Sequence, residues 1–419
     1  MIRIVPHSEA KTILSRRAAK LDEAEEVARP ILRAIASEGD AALFRYVEKF
    51  DRLGEHSLAV RECELAEAAS RLKRDIRDAM ENATRNIREF AQAQLPQPYL
   101  RDFGKGRRLG QIVRPLSAVG CYIPSGRYPL PSTLLMTAVL AQAAGVPSII
   151  VASPKPTDEI LGAAHLLGLR QVFRMGGAQA IGAMAYGTET VPRVDRIVGP
   201  GNVYVAAAKK LVAGDVGIDF IAGPTEILIL TANGNPSVIA ADMLAQAEHD
   251  VDATAVLITT SETLARAVQL AIEEQLRTLP TASVARESID RNGAIILVPN
   301  LEAGATLANE FAPEHLSLHD PTLLGNIQNA GTVFLGQNSP ESAGDYAAGP
   351  SHVLPTSGVA RLRGGLSAAD FVKVIAIQAL SPEALRVLSP AITTLARAEG
   401  LEAHARAVEA RVVEVDSVR

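Results

Sequence analysis

Glu314 and His315 stand side by side in Phe311-Ala-Pro-Glu-His-Leu316, an acid next to an imidazole just after a proline turn. A carboxylate that activates water and an imidazole that takes a hydroxyl proton are the groups needed to carry an alcohol through to an acid. The same two residues would also suit an exposed, charged turn. Gln246 and His249 lie three apart in Ala245-Gln-Ala-Glu-His249, near the end of an expected helix, so their side chains share one face as metal ligands would. A histidine at that place also neutralises a helix carboxyl terminus. Asp345 and His352 fall in Gly344-Asp-Tyr-Ala-Ala-Gly-Pro-Ser-His-Val-Leu-Pro355, a Gly- and Pro-bounded loop that suits a ligand site better than a packed element. His404 sits on an expected helix near the carboxyl terminus. Gln246, His249, Asp345 and His404 together offer two nitrogens and two oxygens, a set suited to Zn²⁺ or a neighbouring divalent ion. Spacing alone does not choose these four, because they are spread over more than a third of the chain. His7, His56, His165 and His319 read as surface or packing residues.

Four glycine-rich turns follow expected strands: Pro124-Ser-Gly-Arg127, Met175-Gly-Gly-Ala-Gln179, Val198-Gly-Pro-Gly-Asn202 and Ala222-Gly-Pro-Thr225. Glycine lets the backbone approach a ligand, and a helix amino terminus offers N–H groups to a phosphate. None of the four matches G-x-G-x-x-G. Tight turns need glycine for geometry alone, but four in succession point to a cofactor cleft.

The elements that must position these groups change character along the chain. Apolar residues recur at helical spacing from Ala24 to Phe50, with a break at Gly39–Asp40, and Arg61 to Gln94 continues as solvated helix. Pro96, Pro98 and the Gly104–Gly110 region end this part. Short β-branched runs then alternate with helical stretches, from Val119–Ile123 through Val203–Val212, and again from Glu226–Thr231 through Ala294–Val298 and Thr332–Leu335. That rhythm predicts parallel sheets covered on both faces, in two α/β lobes. Residues from Pro382 to about Glu409 read as helix again. Ligands of such sheets bind at the carboxyl ends of the strands, where the Gly-rich turns lie.

With 419 residues, 47% of them hydrophobic and 21% charged, the chain has the balance of a globular protein of two main domains. A net charge of −5 supplies no basic stripe for nucleic acid, and Arg16–Arg17 and Lys105–Arg108 are short clusters. No run has the length of a signal peptide core or a membrane span, so a cytoplasmic protein is expected. Cys63 and Cys121 are far apart, which speaks against a disulfide framework or a thiolate zinc knot.

At these residues the chain resembles the histidinol dehydrogenase family over nearly its whole length. The resemblance is carried by GDAALFRYVEKFD, GGAQAIGAMAYGTE, VGPGNVYVAAAKKLV, AGPTEILIL, LAQAEHD, FAPEHL, GDYAAGPSHVLPT and AEGLEAHARAVEAR, in that order. It implies two incomplete Rossmann-like lobes with parallel-sheet cores, small helical terminal extensions and an intertwined homodimer. On this chain the division would be an N-terminal extension over 1–17, a first lobe over 18–114 plus 225–366, an NAD-binding lobe over 115–224, and a helical dimerisation segment over 367–419. The resemblance makes Gln246, His249, Asp345 and His404 the ligands of one zinc per subunit, the last reaching the metal of the partner subunit. It makes Glu314 and His315 the catalytic pair. Thr225, His352 and Glu399 fall where the small-molecule substrate is touched, alongside the zinc ligands and His315. Tyr122, Gln179 and Asn202 fall where NAD is held. The implied reaction converts L-histidinol to L-histidine through a bound aldehyde, reducing two NAD. Ser125 stands where the family usually has glycine, Thr225 where serine is common, and Ser351 in place of a frequent asparagine. Two other readings stay open: a paralogue acting on another small polar alcohol, such as a hydroxylated sulfonate or a diol, and a non-catalytic binding protein on the same lobes.

Overall fold

The computed structural model describes residues 1–14, 21–125, 129–221 and 223–417. Gly126, Arg127 and Tyr128 of the first glycine-rich turn, Ala222 of the fourth and residues 15–17 of the expected N-terminal extension lie outside the described residues. The chain divides into two compact units: Met1–Gln94 with Leu116–Phe371, and Leu95–Pro115 with Val372–Arg419.

The first unit contains two parallel sheets. One has five strands, β4 (Ala118–Tyr122), β5 (Ser148–Ala152), β6 (Gln171–Phe173), β7 (Arg196–Val198) and β8 (Gly217–Ile218), in the order β6-β5-β4-β7-β8. Strand order reverses direction between β4 and β7, which makes that junction the place where an open α/β sheet binds its ligand. Helices α6 (Pro131–Ala143), α7 (Asp158–Leu166), α8 (Gly177–Tyr186) and α9 (Val203–Val212) follow the first four of these strands. Eight of the ten residues of α8 are buried, because it is covered on both sides.

The covering comes from the amino-terminal helices α2 (Leu21–Glu38) and α3 (Asp40–Phe50), while α4 (Glu62–Arg71) packs on α7 and α5 (Arg74–Ala93) on α6. Ala24, Ala28, Ile31, Leu32 and Ile35 form the buried stripe of α2, and they join Ile181, Ala185, Val205 and Ala208 in one core. The division set out above grouped these helices with the other lobe. Their stripes instead match α8 and α9, and apolar burial decides the partner. The break before α3 requires glycine: Gly39 has φ +58°, and a Cβ there would stand 2.6 Å from Glu189 Oε2, which accepts from Asp40 N–H at 2.8 Å.

The other sheet has six parallel strands in the order β1-β11-β10-β9-β12-β13. These are β1 (Arg3–Pro6), β9 (Glu226–Leu230), β10 (Thr254–Thr259), β11 (Ala294–Leu297), β12 (His315–Leu318) and β13 (Thr332–Leu335). The N-terminal segment is thus no helical extension: β1 is the sheet's edge strand, followed by the short helix α1 (Ala10–Ile13). Helices α10 (Pro236–Ala247), α11 (Glu262–Gln275), α12 (Ala282–Asn292), α13 (Leu301–Phe311) and α14 (Glu341–Tyr346) belong to this half. Strands buried on both faces, such as the fully buried Glu226-Ile-Leu-Ile-Leu230, are what two helical layers demand.

The second unit is an antiparallel sheet, β14-β3-β2, built from β2 (Tyr99–Asp102), β3 (Arg107–Pro115) and β14 (Val372–Leu380), with α15 (Pro382–Ala398) packed on α16 (Glu402–Ser417). Here the expectation of a wholly helical carboxyl-terminal segment fails. Val372-Lys-Val-Ile-Ala-Ile-Gln-Ala-Leu380 finds its partner in β3, and no local pattern announces a pairing across so much chain.

Candidate active site

Helix α13 stops because Ala312 takes a left-handed conformation, φ 52°, and Pro313 follows. Glu314 and His315 come next, at the head of β12 beside the start of β9. Both are buried, at 6% and 4% exposure, so they do not form an exposed charged turn. Glu314 Oε2 accepts from Thr225 Oγ1 at 2.5 Å and from Glu226 N–H at 2.8 Å. His315 Nδ1 lies 3.0 Å from the carbonyl of Glu226, an atom that only accepts, so Nδ1 carries the hydrogen. Nε2, on the other side of the ring, is buried without a hydrogen-bond partner, 3.6 Å from Asp345 Oδ1.

The site carries an excess of carboxylates. Burial, then the nearby Asp345, Asp242 and Glu314, pushes Glu341 up to about 8. Burial also raises Glu314, with Asp345 adding to the effect. Burial alone would lower His315, but Glu314, Asp345 and Glu341 outweigh it and push the ring to about 10. Burial opposes ionisation of Asp345, yet His315, His352 and His249 hold its carboxyl below the usual range. Burial raises half-buried Asp242 to about 6.

Gln246 is fully buried on α10, which packs against α14. Its amide sits between Thr225 Oγ1 and the Glu341 carboxylate. With the NH₂ group turned to Glu341, 3.0 and 3.1 Å from its oxygens, the carbonyl oxygen faces Thr225 Oγ1, whose single hydrogen it then shares with Glu314 Oε2. Glu341 escaped the sequence reading, although it precedes Asp345 by four residues on α14, a spacing that shares a face. His249 is exposed just past the end of α10, and its Nδ1 donates to Ala245 O at 3.0 Å. The helix-end bond therefore exists, and it leaves Nε2 with a free lone pair.

His352 has both nitrogens engaged inside the protein: Nδ1 donates to Asp345 O at 2.8 Å, and Nε2 lies 3.1 Å from Thr133 Oγ1 on α6. Ser351 Oγ donates to Met136 O at 3.2 Å, so this loop is tied to α6 twice. Thr133 was missed because nothing in its local sequence marks it.

At the five-stranded sheet, Tyr122 ends β4 and its hydroxyl accepts from Gly177 N–H at 3.2 Å. Gln179 Nε2 donates to Asp51 Oδ2 at 2.9 Å, and the same oxygen accepts from Gly176 N–H at 3.2 Å. Two N–H groups at the start of α8 are thus already taken, against the reading of that turn as a free phosphate cradle. Tyr122 and Gln179 are 3% and 2% exposed, whereas Asn202 is exposed at the head of α9. Asn202 Oδ1 accepts from Tyr204 and Val205 N–H, both at 3.1 Å, a helix cap that leaves its NH₂ group free.

Glu399, capping α15, and His404, in the first turn of α16, are exposed in the second unit. A surface hollow of about 560 Å³ lined by Arg193, Asp195 and Asp215 contains none of the candidate residues.

Among the described residues no group of three or more His, Cys, Asp or Glu is arranged to hold a metal ion. The donor chemistry nonetheless fits a divalent cation. Gln246 supplies an amide, His249 an imidazole lone pair and Asp345 a carboxylate, amid carboxylates that repel one another. A tetrahedral zinc site takes four ligands, one more than these three residues supply.

A family model described as histidinol dehydrogenase matches residues 14–412. The chain is 49% identical over 409 residues to a histidinol dehydrogenase of Thermus thermophilus, covering 96% of this chain and 98% of the relative. It is 46% identical over 391 residues to that of Bacillus thuringiensis, covering 91% of each. The crystal structure of histidinol dehydrogenase from Elizabethkingia anophelis superposes with a TM-score of 0.95 at 35% identity, covering 99% of both chains.

Proposed function

The chain belongs to the histidinol dehydrogenase family, enzymes of histidine biosynthesis that oxidise histidinol to histidine with NAD. From that premise we propose that Glu314 and His315 are the catalytic pair, and that Gln246, His249 and Asp345 hold one zinc ion with His404 of a second copy of the chain. The observation that carries this is His315 itself. Its Nδ1 is anchored on Glu226 O while its buried Nε2 has no partner, so Nε2 is the one atom left to exchange a proton with a substrate's hydroxyl. The surrounding carboxylates hold the ring protonated, and a cation bound among them would offset that pull and free Nε2 to act as a base.

Two oxidations follow one another in the same pocket, through the aldehyde. In the first, His315 Nε2 removes the hydroxyl proton as the carbon loses hydride to NAD. In the second, Glu314 activates the water that adds to the aldehyde, and the resulting hydrate loses hydride to a second NAD to give the acid. Its Oε2 is fixed by Thr225 and Glu226 N–H, so its other oxygen is the one that meets water. Zinc, when bound, would orient the substrate by its imidazole and amine, a task of positioning more than of redox chemistry. Thr225 and Glu399 touch the substrate, and His352 borders it while holding the Asp345 loop. Tyr122 and Gln179 shape the NAD cleft from behind, and Asn202 presents its free NH₂ group.

A homodimer is supported by the second unit. Tyr99, Leu100, Phe103, Val374, Ile375, Val387 and Leu395 are large apolar residues exposed on β2, β14, α15 and the β2–β3 turn. A second copy of this chain is the occupant we assign to them, since the donor set above is one ligand short. No helix among the described residues is long and apolar enough to cross a membrane.

The test is NADH formation from L-histidinol with and without a chelator, counting NADH per substrate. Two per histidinol, lost on chelation and restored by zinc, is the expected result. Absence of NADH from folded, zinc-loaded protein would overturn the reading in favour of another alcohol.

A further inference from the structure

We propose that the buried ion pair Lys209–Asp219 is a positioning device for the turn that presents Asn202 to NAD; this rests on the NAD site proposed above. Lys209 on α9 is 2% exposed, and the Asp219 carboxylate, just past β8, is wholly buried. Between them they grip one glycine. Asp219 Oδ2 accepts from Gly199 N–H at 2.8 Å, and Lys209 Nζ donates to Gly199 O at 3.1 Å. Gly199 has φ +111°, and a Cβ there would lie 2.1 Å from Tyr122 O. The turn therefore lies hard against the end of β4, at the junction where strand order reverses. Asn202, three residues on, inherits its place from this grip.

Stability does not explain the pair. Burying two charges costs about as much as their attraction returns, and well-packed apolar replacements are often neutral or stabilising. An apolar pair could not hold both the N–H and the C=O of Gly199. Asp219 is itself tied down: its Oδ1 accepts from Phe220 N–H at 2.7 Å, and Arg363 donates to its carbonyl at 2.7 Å while pairing with Asp370 at 2.8 Å. The carboxylate that sets the turn is thus fixed by Lys209 and Phe220 N–H, and the backbone that carries it by Arg363.

The experiment compares Lys209→Met, Asp219→Leu and the double variant, reading thermal midpoint, kcat, KM for NAD, and equilibrium binding of histidinol to zinc-loaded protein without NAD. Each single variant should melt earlier, because it leaves a buried charge alone. The double variant should regain most of the midpoint. Its KM for NAD should nevertheless stay raised by about tenfold, the loss expected when one hydrogen bond to the cofactor is no longer made. Its kcat and histidinol binding should stay near wild type. If KM for NAD recovers together with the midpoint, the pair is only structural and the proposal falls. Should the double variant not fold, Lys209→Met/Asp219→Asn carries the same test, because it too loses the grip on the Gly199 carbonyl. Asn202→Ala separates the two levels of argument. An unchanged KM for NAD there removes the cofactor site itself, whereas a raised KM beside a normal double variant removes only the positioning role.

Discussion

Replacing Thr133 by valine keeps the shape of a fully buried side chain and removes one hydroxyl. Its effect can be worked from the hydrogen bonds. His352 Nδ1 faces the carbonyl of Asp345 at 2.8 Å and must donate, so in the neutral ring Nε2 is an acceptor and the Thr133 hydroxyl, 3.1 Å away, is its donor. Valine leaves that nitrogen without a partner, at a cost of about 1–3 kcal/mol. His352 is only half-buried, so water can compensate in part and the lower end applies. With about 2.1 cal/mol/K of unfolding entropy per residue, a unit of this size should lose roughly 1–2 °C in midpoint. The larger effect should be on the loop that bears Asp345. Partners that orient metal ligands are worth about 10–100-fold in metal affinity, and Thr133 acts one step further out, so about tenfold weaker zinc binding is expected. The assay is competition for zinc against a chromophoric chelator, beside thermal unfolding, with Thr133→Ser as the variant that keeps the donor. Valine behaving as wild type in both readouts, or serine behaving as valine, would refute the reasoning.

Glu314→Gln should leave both bonds from Thr225 and Glu226 in place but accept no proton. Oxidation of the aldehyde should slow by about 10²–10⁴ while the first oxidation persists, so early NADH per histidinol drops from two toward one; equal loss of both steps would sink the division of labour. Mixing His249→Ala with His404→Ala protein should restore activity in hybrid dimers, in which one site has both ligands; no recovery after confirmed subunit exchange would mean the site is not shared. Glu64 accepts from Arg61 N–H and pairs with nearly buried Arg174 at 2.7 Å, which holds its carboxyl at about 2 against an ordinary 4.5. The folded value lies below the unfolded one, so this contribution, on the order of 3 kcal/mol, is complete above pH 4.5 and fades as pH falls from there toward 2. Glu64→Gln should lower stability at neutral pH and flatten the acid limb of urea unfolding; an unchanged acid limb would count against it.

Much of the architecture was legible because it follows from local backbone geometry. Val119–Ile123 and Glu226–Thr231 read as buried strands from their aliphatic runs, Gly39–Asp40 as a helix break, and Val198-Gly-Pro-Gly-Asn202 as a turn into a helix. Glu314 and His315 stood out because they are neighbours in sequence; Gln246 and His249 stood out by their spacing of three, but the helix ends at Ala247 and leaves Gln246 buried and His249 exposed beyond it. Tertiary structure alone decided which sheet the helices of 21–93 cover, since several stripes of Ala, Ile and Leu are interchangeable until they meet a surface. It alone paired Val372–Leu380 with Arg107–Pro115. It also brought Thr133 to His352, Glu341 to Gln246, and Lys209 with Asp219 to Gly199. Helical and strand periods repeat every few residues and leave their mark in any short window of sequence. A hydrogen bond between groups on different elements, such as Thr133 and His352, leaves none, because it exists only once the packing of the whole unit has set both ends.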